Sequence, residues 1–164
     1  MRRLVLSCLS IVAAAAASAP SFAQAPPGTP PYGETINLAQ ARKAADAAMT
    51  EAAKQGWSMA IAVVGPTGDL VYFQKMDNTQ YASVPIAQHK ARTAAIFRRP
   101  TKAFEDNLGK GSEFIYQMTL DGMIGSQGGV PLVAAGKMIG AIGCSGGAGP
   151  QDQQTCMAGA DALK

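Results

Sequence analysis

Histidine is almost absent from this chain, and that scarcity removes several functions at once. His89 is the single histidine. No Cys/His cluster therefore has the ligand spacing of a structural zinc site. No Ser-His-Asp order can be argued either, and Ser145 lacks the G-x-S-x-G context of a hydrolase nucleophile. Charged residues make up only 15% of the chain, and the formal net charge of +3 includes Arg2 and Arg3. Without that pair, twelve basic residues face eleven acidic ones, a balance that does not favour nucleic acid as a partner. The glycines of the last third lack the spacing and the Lys-Ser/Thr ending of a phosphate-binding loop, and they match no dinucleotide fingerprint. No apolar run reaches membrane length, because Leu4 to Ala19 is about 16 residues against the roughly 20 that a helical span requires.

What is present at the start reads as an address. Met1-Arg2-Arg3, the apolar stretch and Ser21-Phe22-Ala23 form a secretory signal peptide over residues 1–23, with cleavage after Ala23 or Ala25. That predicts a periplasmic or secreted protein with no stable membrane insertion after cleavage. Residues 24–36 are proline-rich and read as an extended or disordered leader. Residues 37–164 suffice for one domain. Of the three cysteines, Cys144 and Cys156 survive processing. Export permits a disulfide between them, two buried thiols are the other reading, and sequence does not supply the Cα separation that decides.

Asn37, Gln40 and Gly56 punctuate a helix over Leu38 to Gln55. Its expected buried stripe is Leu38, Ala41, Ala45, Ala48, Met49 and Ala52. Residues 59–64 and 70–73 form a hairpin across Gly65-Pro66-Thr67-Gly68. Ser83 opens a helix to about Arg98, with Ala87, Ala91, Ala94 and Ala95 on one face and His89, Arg92 and Ile96 on the other. Pro100 stops it, and a short helix follows from Thr101 to Leu108. Residues 131–134 and 138–142 read as strands around Ala135-Gly136-Lys137, and a last helix runs from Pro150 to Leu163. Gly140 and Gly143 within a strand pattern suggest close approach by another backbone or a ligand. The order predicts an α/β (α+β) sandwich with an antiparallel sheet of about five strands and helices packed on it.

Four motifs in order resemble the GlcG/HbpS family. Lys75-Met76-Asp77-Asn78 is similar to its R-M-D-G, and His89-Lys90-Ala91-Arg92-Thr93-Ala94 to its K-A-x-T-A helix. Gly128-Gly129-Val130-Pro131-Leu132 resembles G-G-x-P-[IL]. Gly140-Ala141-Ile142-Gly143-Cys144-Ser145-Gly146-Gly147, with Gln151-Asp152 downstream, resembles G-[AG]-[IV]-G-V-S-G-G and its Q-D. The resemblance covers Leu38 to Lys164 and implies a profilin-like fold assembled as a homo-oligomer. Members include a haem-binding extracellular protein, a protein encoded beside glycolate oxidation genes and a domain of some cobalamin adenosyltransferases. Lys75 and Cys144 depart from the pattern: lysine loses the bidentate fork of arginine, and cysteine replaces an aliphatic residue.

The resemblance implies a small-molecule ligand, with haem or a related tetrapyrrole the leading cofactor. The site residues expected from it are His89, Lys90, Arg92, Gly128, Gly129 and Pro131. His89 can serve as axial ligand to haem iron, and Arg92, one turn later, can pair with a propionate. The alternative for both is a solvated helix face. Methionines and tyrosines are the other axial candidates, although methionine commonly fills cores. Lys90 either reaches a pocket or pairs with Asp77. Gly128 and Gly129 either present backbone amides to a ligand or make a plain turn. Ser145-Gly146-Gly147 either holds an anion or reverses the chain. Two further readings stay open: a non-catalytic module for a small carboxylate such as glycolate, and an assembly protein that uses the His89/Ile96 face. No conventional catalytic set is visible, and haem degradation enters only through the resemblance.

Overall fold

The computed structural model describes residues 28–164, so the expected signal peptide and the start of the expected leader lie outside the described residues. Helix α1 (Leu38–Gln55) begins as expected: Asn37 Oδ1 accepts from Gln40 N at 2.9 Å and Gln40 Oε1 accepts from Asn37 N at 3.1 Å. Gly56 ends it in the left-handed conformation, φ 72°. Strands β1 (Ala60–Val64) and β2 (Leu70–Lys75) form the hairpin. Helix α2 (Ser83–Ile96) and the short helix α3 (Lys102–Leu108) follow. A 3-10 segment (Ser112–Thr119), which no sequence period announced, leads to β3 (Gly129–Ala134), β4 (Lys137–Ser145) and α4 (Gly149–Asp161).

The sheet is antiparallel with order β2-β1-β4-β3. It has four strands where about five were expected. The four runs read from the sequence, residues 59–64, 70–73, 131–134 and 138–142, each form a strand, and no fifth joins them among the described residues. Gly33 N donates to the Met138 carbonyl and Ile36 N to the Ile139 carbonyl, both at 2.8 Å. This stretch lies extended along the start of β4 but makes only an isolated bridge, Tyr32 to Met138.

Period-two alternation in β1 divides the core between the two faces of the sheet. Ala60, Ala62 and Val64 face α2, whose Ala87, Ala91, Ala94 and Ala95 are completely buried. Ile61 and Val63 face α1 and α4, joined by Ile142, Cys144, Ala160 and the α1 alanines. The result is one helix against one face and two against the other. The expected stripe of α1 is corrected at its first position, because Leu38 is 48% exposed, and Ala44 joins the buried set.

Cys144 at the end of β4 and Cys156 within α4 are bonded, with Cα atoms 5.6 Å apart. The choice left open by the sequence is thus settled for the disulfide. A cross-link over a separation of 12 residues removes enough freedom from the unfolded chain to stabilise the fold by about 3 kcal/mol. Replacing both cysteines by alanine is expected to lower the urea midpoint accordingly. Because both side chains are fully buried, reductant added to the folded protein should act only as fast as the structure opens.

Candidate functional site

The expected site residues fall into three places. His89 and Arg92 come together on the exposed face of α2. With Gln88 of the same helix, Gly68 and Asp69 of the β1–β2 turn and Leu70 at the start of β2, they line a cavity of about 350 Å³. Glycine is required at 68, because its φ is 89° and a Cβ there would meet Arg92 Cγ at 2.9 Å. The turn can therefore lie directly against the helix. Leu70 is 52% exposed and supplies an apolar wall, while Asp69 accepts a hydrogen bond from Thr67 Oγ1. His89 and Arg92 form no ion pair among the described residues.

Lys90, Gly128 and Gly129 lie on the other side of α2, in the interior. Lys90 is 1% exposed. Its Nζ donates to Asp152 Oδ2 at 2.7 Å and to the Cys144 carbonyl at 3.3 Å. Of the two readings of Lys90, the ion pair holds, but with Asp152 on α4 instead of Asp77, and the lysine lies in the core. Asp152 Oδ1 accepts from Gly147 N at 3.0 Å. Burial pushes the Asp152 carboxyl above its ordinary range, against the opposing pull of Lys90 and of the Gly146 and Gly147 amides. Gly128, at φ 111°, and Gly129 pass directly over this pair: a Cβ at 128 would sit 2.7 Å from Asp152 Cβ, and one at 129 would sit 2.4 Å from the Lys90 carbonyl. Gly129 N donates to Thr101 Oγ1 at 2.8 Å, and Thr101 N donates back to the Gly129 carbonyl at 3.0 Å. Every amide here that meets a side-chain acceptor is already committed to the protein. Ser145 is buried too, with its hydroxyl 3.2 Å from that of Ser83.

Pro131 belongs to a third place, a cavity of about 470 Å³ beyond the end of α2 that also contains Arg98, Arg99 and Met157. Sequence reasoning missed the arginines, and it missed the contribution of Gly68, Asp69 and Leu70 to the His89 cavity. The Gly-Pro turn was visible, but its packing on α2 was not. Asp152 stood in the Q-D motif without a role, and Lys90 near the buried stripe was the one hint that a buried acid awaited it. Among the described residues no helix is long and apolar enough to cross a membrane, and no group of three or more His, Cys, Asp or Glu side chains could hold a metal ion.

A four-stranded antiparallel sheet between one helix and a pair, bearing this motif order, defines a class. The family model described as haem degrading protein HbpS-like matches residues 36–161, and the chain belongs to that family. Protein GlcG of Escherichia coli K12 is 41% identical over 100 residues, which cover 60% of this chain and 72% of GlcG. The crystal structure of a Streptomyces reticuli HbpS double mutant is 30% identical with a TM-score of 0.74, over 90% of this chain and 99% of that one. The crystal structure of a PduOC:heme complex shares the fold at 21% identity and a TM-score of 0.72, over 79% of this chain and 96% of that one.

Proposed function

We propose that this is an exported protein that binds haem or a related tetrapyrrole through the His89–Arg92 cavity. The observation that carries the reading is the meeting of the single histidine and an arginine without an ion pair among the described residues on one cavity, in a chain whose family is described as haem degrading. The residues present fit the group. An exposed imidazole can ligate iron, Arg92 offers a guanidinium one turn away for a propionate, and Leu70 and Val64 give the ring an apolar wall. Asp69 on the same rim disfavours a propionate beside it, so Arg92 sets the orientation.

A cavity of this volume lies at the small end for ligand pockets and covers part of a macrocycle. A second copy of the chain is the surface we propose for the remainder, and Ile115, Tyr116 and Met118 are exposed apolar side chains that an assembly could cover. Bound haem would supply the redox chemistry of any degradation, while the protein positions it and shields it from water.

A haem titration followed in the visible region tests the reading. The wild-type protein is expected to give a saturable Soret shift, and His89→Ala to weaken binding by at least about tenfold. A shift retained undiminished in the variant would move the ligand to a methionine, tyrosine or lysine. No shift in the wild type would remove haem and favour the small-carboxylate reading.

A further inference from the structure

The third cavity carries features that neither the core nor the His89 site explains. Its volume is about 470 Å³, and Val130, Pro131, Val133 and Met157 give it apolar walls. Two adjacent guanidiniums, Arg98 and Arg99, line the same space. Among the described residues neither pairs with a carboxylate.

Both arginines are held in position. The Arg98 guanidinium lies over the Tyr32 ring, 4.9 Å from its centroid, and the Tyr32 hydroxyl donates to the Ala95 and Ile96 carbonyls. The Arg99 guanidinium lies 5.5 Å from the Phe104 centroid, and its Nε donates to the Phe97 carbonyl at 3.3 Å. Stacking on an aromatic face leaves the in-plane N–H groups of a guanidinium free to bind an anion. Arg98 also adopts the left-handed region, φ 51°. That position, two residues past the end of α2, is the one where chains usually place glycine or asparagine. Any side chain larger than glycine's carries a backbone penalty in that region.

We propose that this cavity is a binding site for an apolar monocarboxylate of about medium-chain fatty-acid size, with Arg98 and Arg99 holding the carboxylate. The chain of the ligand lies against Val130, Pro131, Val133 and Met157. A guanidinium is opposite in charge to a carboxylate and matches its planar geometry, and a second one offers further charge-assisted donors; a mostly apolar pocket with a few convergent polar groups is the usual form of a small-molecule site. The two cavities share no lining residue, so this site stands independently of haem binding at His89.

Isothermal titration of the purified protein with decanoate, and separately with decanol, tests it. Wild type is expected to bind decanoate saturably and decanol at least about tenfold more weakly, since each charge-assisted hydrogen bond is worth that much. Arg98→Asn keeps a residue that tolerates the left-handed backbone, and its melting temperature shows whether the fold is intact. Arg99→Gln provides a second variant should the first fail to fold. Each is expected to weaken decanoate binding by at least about tenfold, while His89→Ala leaves it unchanged. The proposal is overturned by an absence of saturable binding, by equal affinity for decanol, by undiminished binding in a folded arginine variant, or by loss of binding in His89→Ala.

Discussion

Replacing Asp152 by alanine is expected to destabilise the fold by about 3–5 kcal/mol, because it strands the Lys90 ammonium in the core without a counter-ion. Lys90 is buried among α2, β4, α4 and the Gly128–Gly129 loop, and among the described residues its other acceptor is the Cys144 carbonyl at 3.3 Å. The double variant Lys90→Met with Asp152→Leu removes both charges at similar volume, and it should cost far less than either single change or even stabilise. Urea unfolding of Asp152→Ala, Lys90→Met and the double variant measures the difference. If Asp152→Ala and the double variant were equally destabilised, the pair would matter only for its packing.

The pair also sets a pH dependence. Burial raises the Asp152 pKa in the folded state, so the native protein holds that proton more tightly than the unfolded chain does. Stability from this group is therefore present below the ordinary carboxylate pKa and is lost as pH rises toward the raised value. In Lys90→Met the opposing pull of the ammonium is gone, which raises the pKa further and extends the loss to higher pH.

Gly143→Ala is expected to cost at least about 3 kcal/mol, at the upper end for overpacking in a core. A Cβ there would lie 2.1 Å from the Ala87 carbonyl oxygen and 2.5 Å from the Ala91 nitrogen, both backbone atoms of α2. Neither can turn aside as a side chain would, so the helix must lift from the sheet. Its completely buried alanine face would then lose the close contact on which that half of the core depends. Gly109→Ala is the matched control. Its φ is ordinary at −71° and an added methyl meets only van der Waals contacts at 3.6 Å, so the change should be neutral or mildly stabilising. Thermal melts of the two variants give the comparison, and equal midpoints would contradict the packing described for α2. Because His89 and Arg92 ride on the far face of the same helix, Gly143→Ala should also weaken haem binding in whatever fraction stays folded.

The local elements were legible for local reasons. The capping box at Asn37 and Gln40, the Gly-Pro turn between β1 and β2, and the alanine face of α2 all write their structure within a few residues. The suggestion of close approach at Gly143 also held, with the backbone of α2 as the partner. Strand order was a different matter. The central pairing of β1 with β4 joins Ala60 to Ser145, and nothing near either strand specifies a partner so distant in sequence. The sequence shows only four strand runs, so the fifth strand of the expected sheet had no segment to form it.

Lys90 shows why a helical wheel has limits. A lysine near the buried stripe reads as a snorkelling side chain, and only Asp152, 62 residues later, makes full burial tolerable. The candidate site was legible in part, because His89 and Arg92 share a helix and their meeting follows from the helical period. Their cavity needs the β1–β2 turn to fold back against α2, a tertiary event. Arg98 and Arg99 carried no signal of a site in the sequence, because the rings that hold them, Tyr32 and Phe104, are brought there by the fold.

The most direct test of haem at the His89–Arg92 cavity is backbone hydrogen exchange of the protein with and without one equivalent of haem. Binding there predicts slowed exchange in the β1–β2 turn, residues 66–70, and along residues 86–93, with residues 98–100 and 130–133 unchanged. Protection confined to residues 98–100 and 130–133, or no protection anywhere, would contradict it.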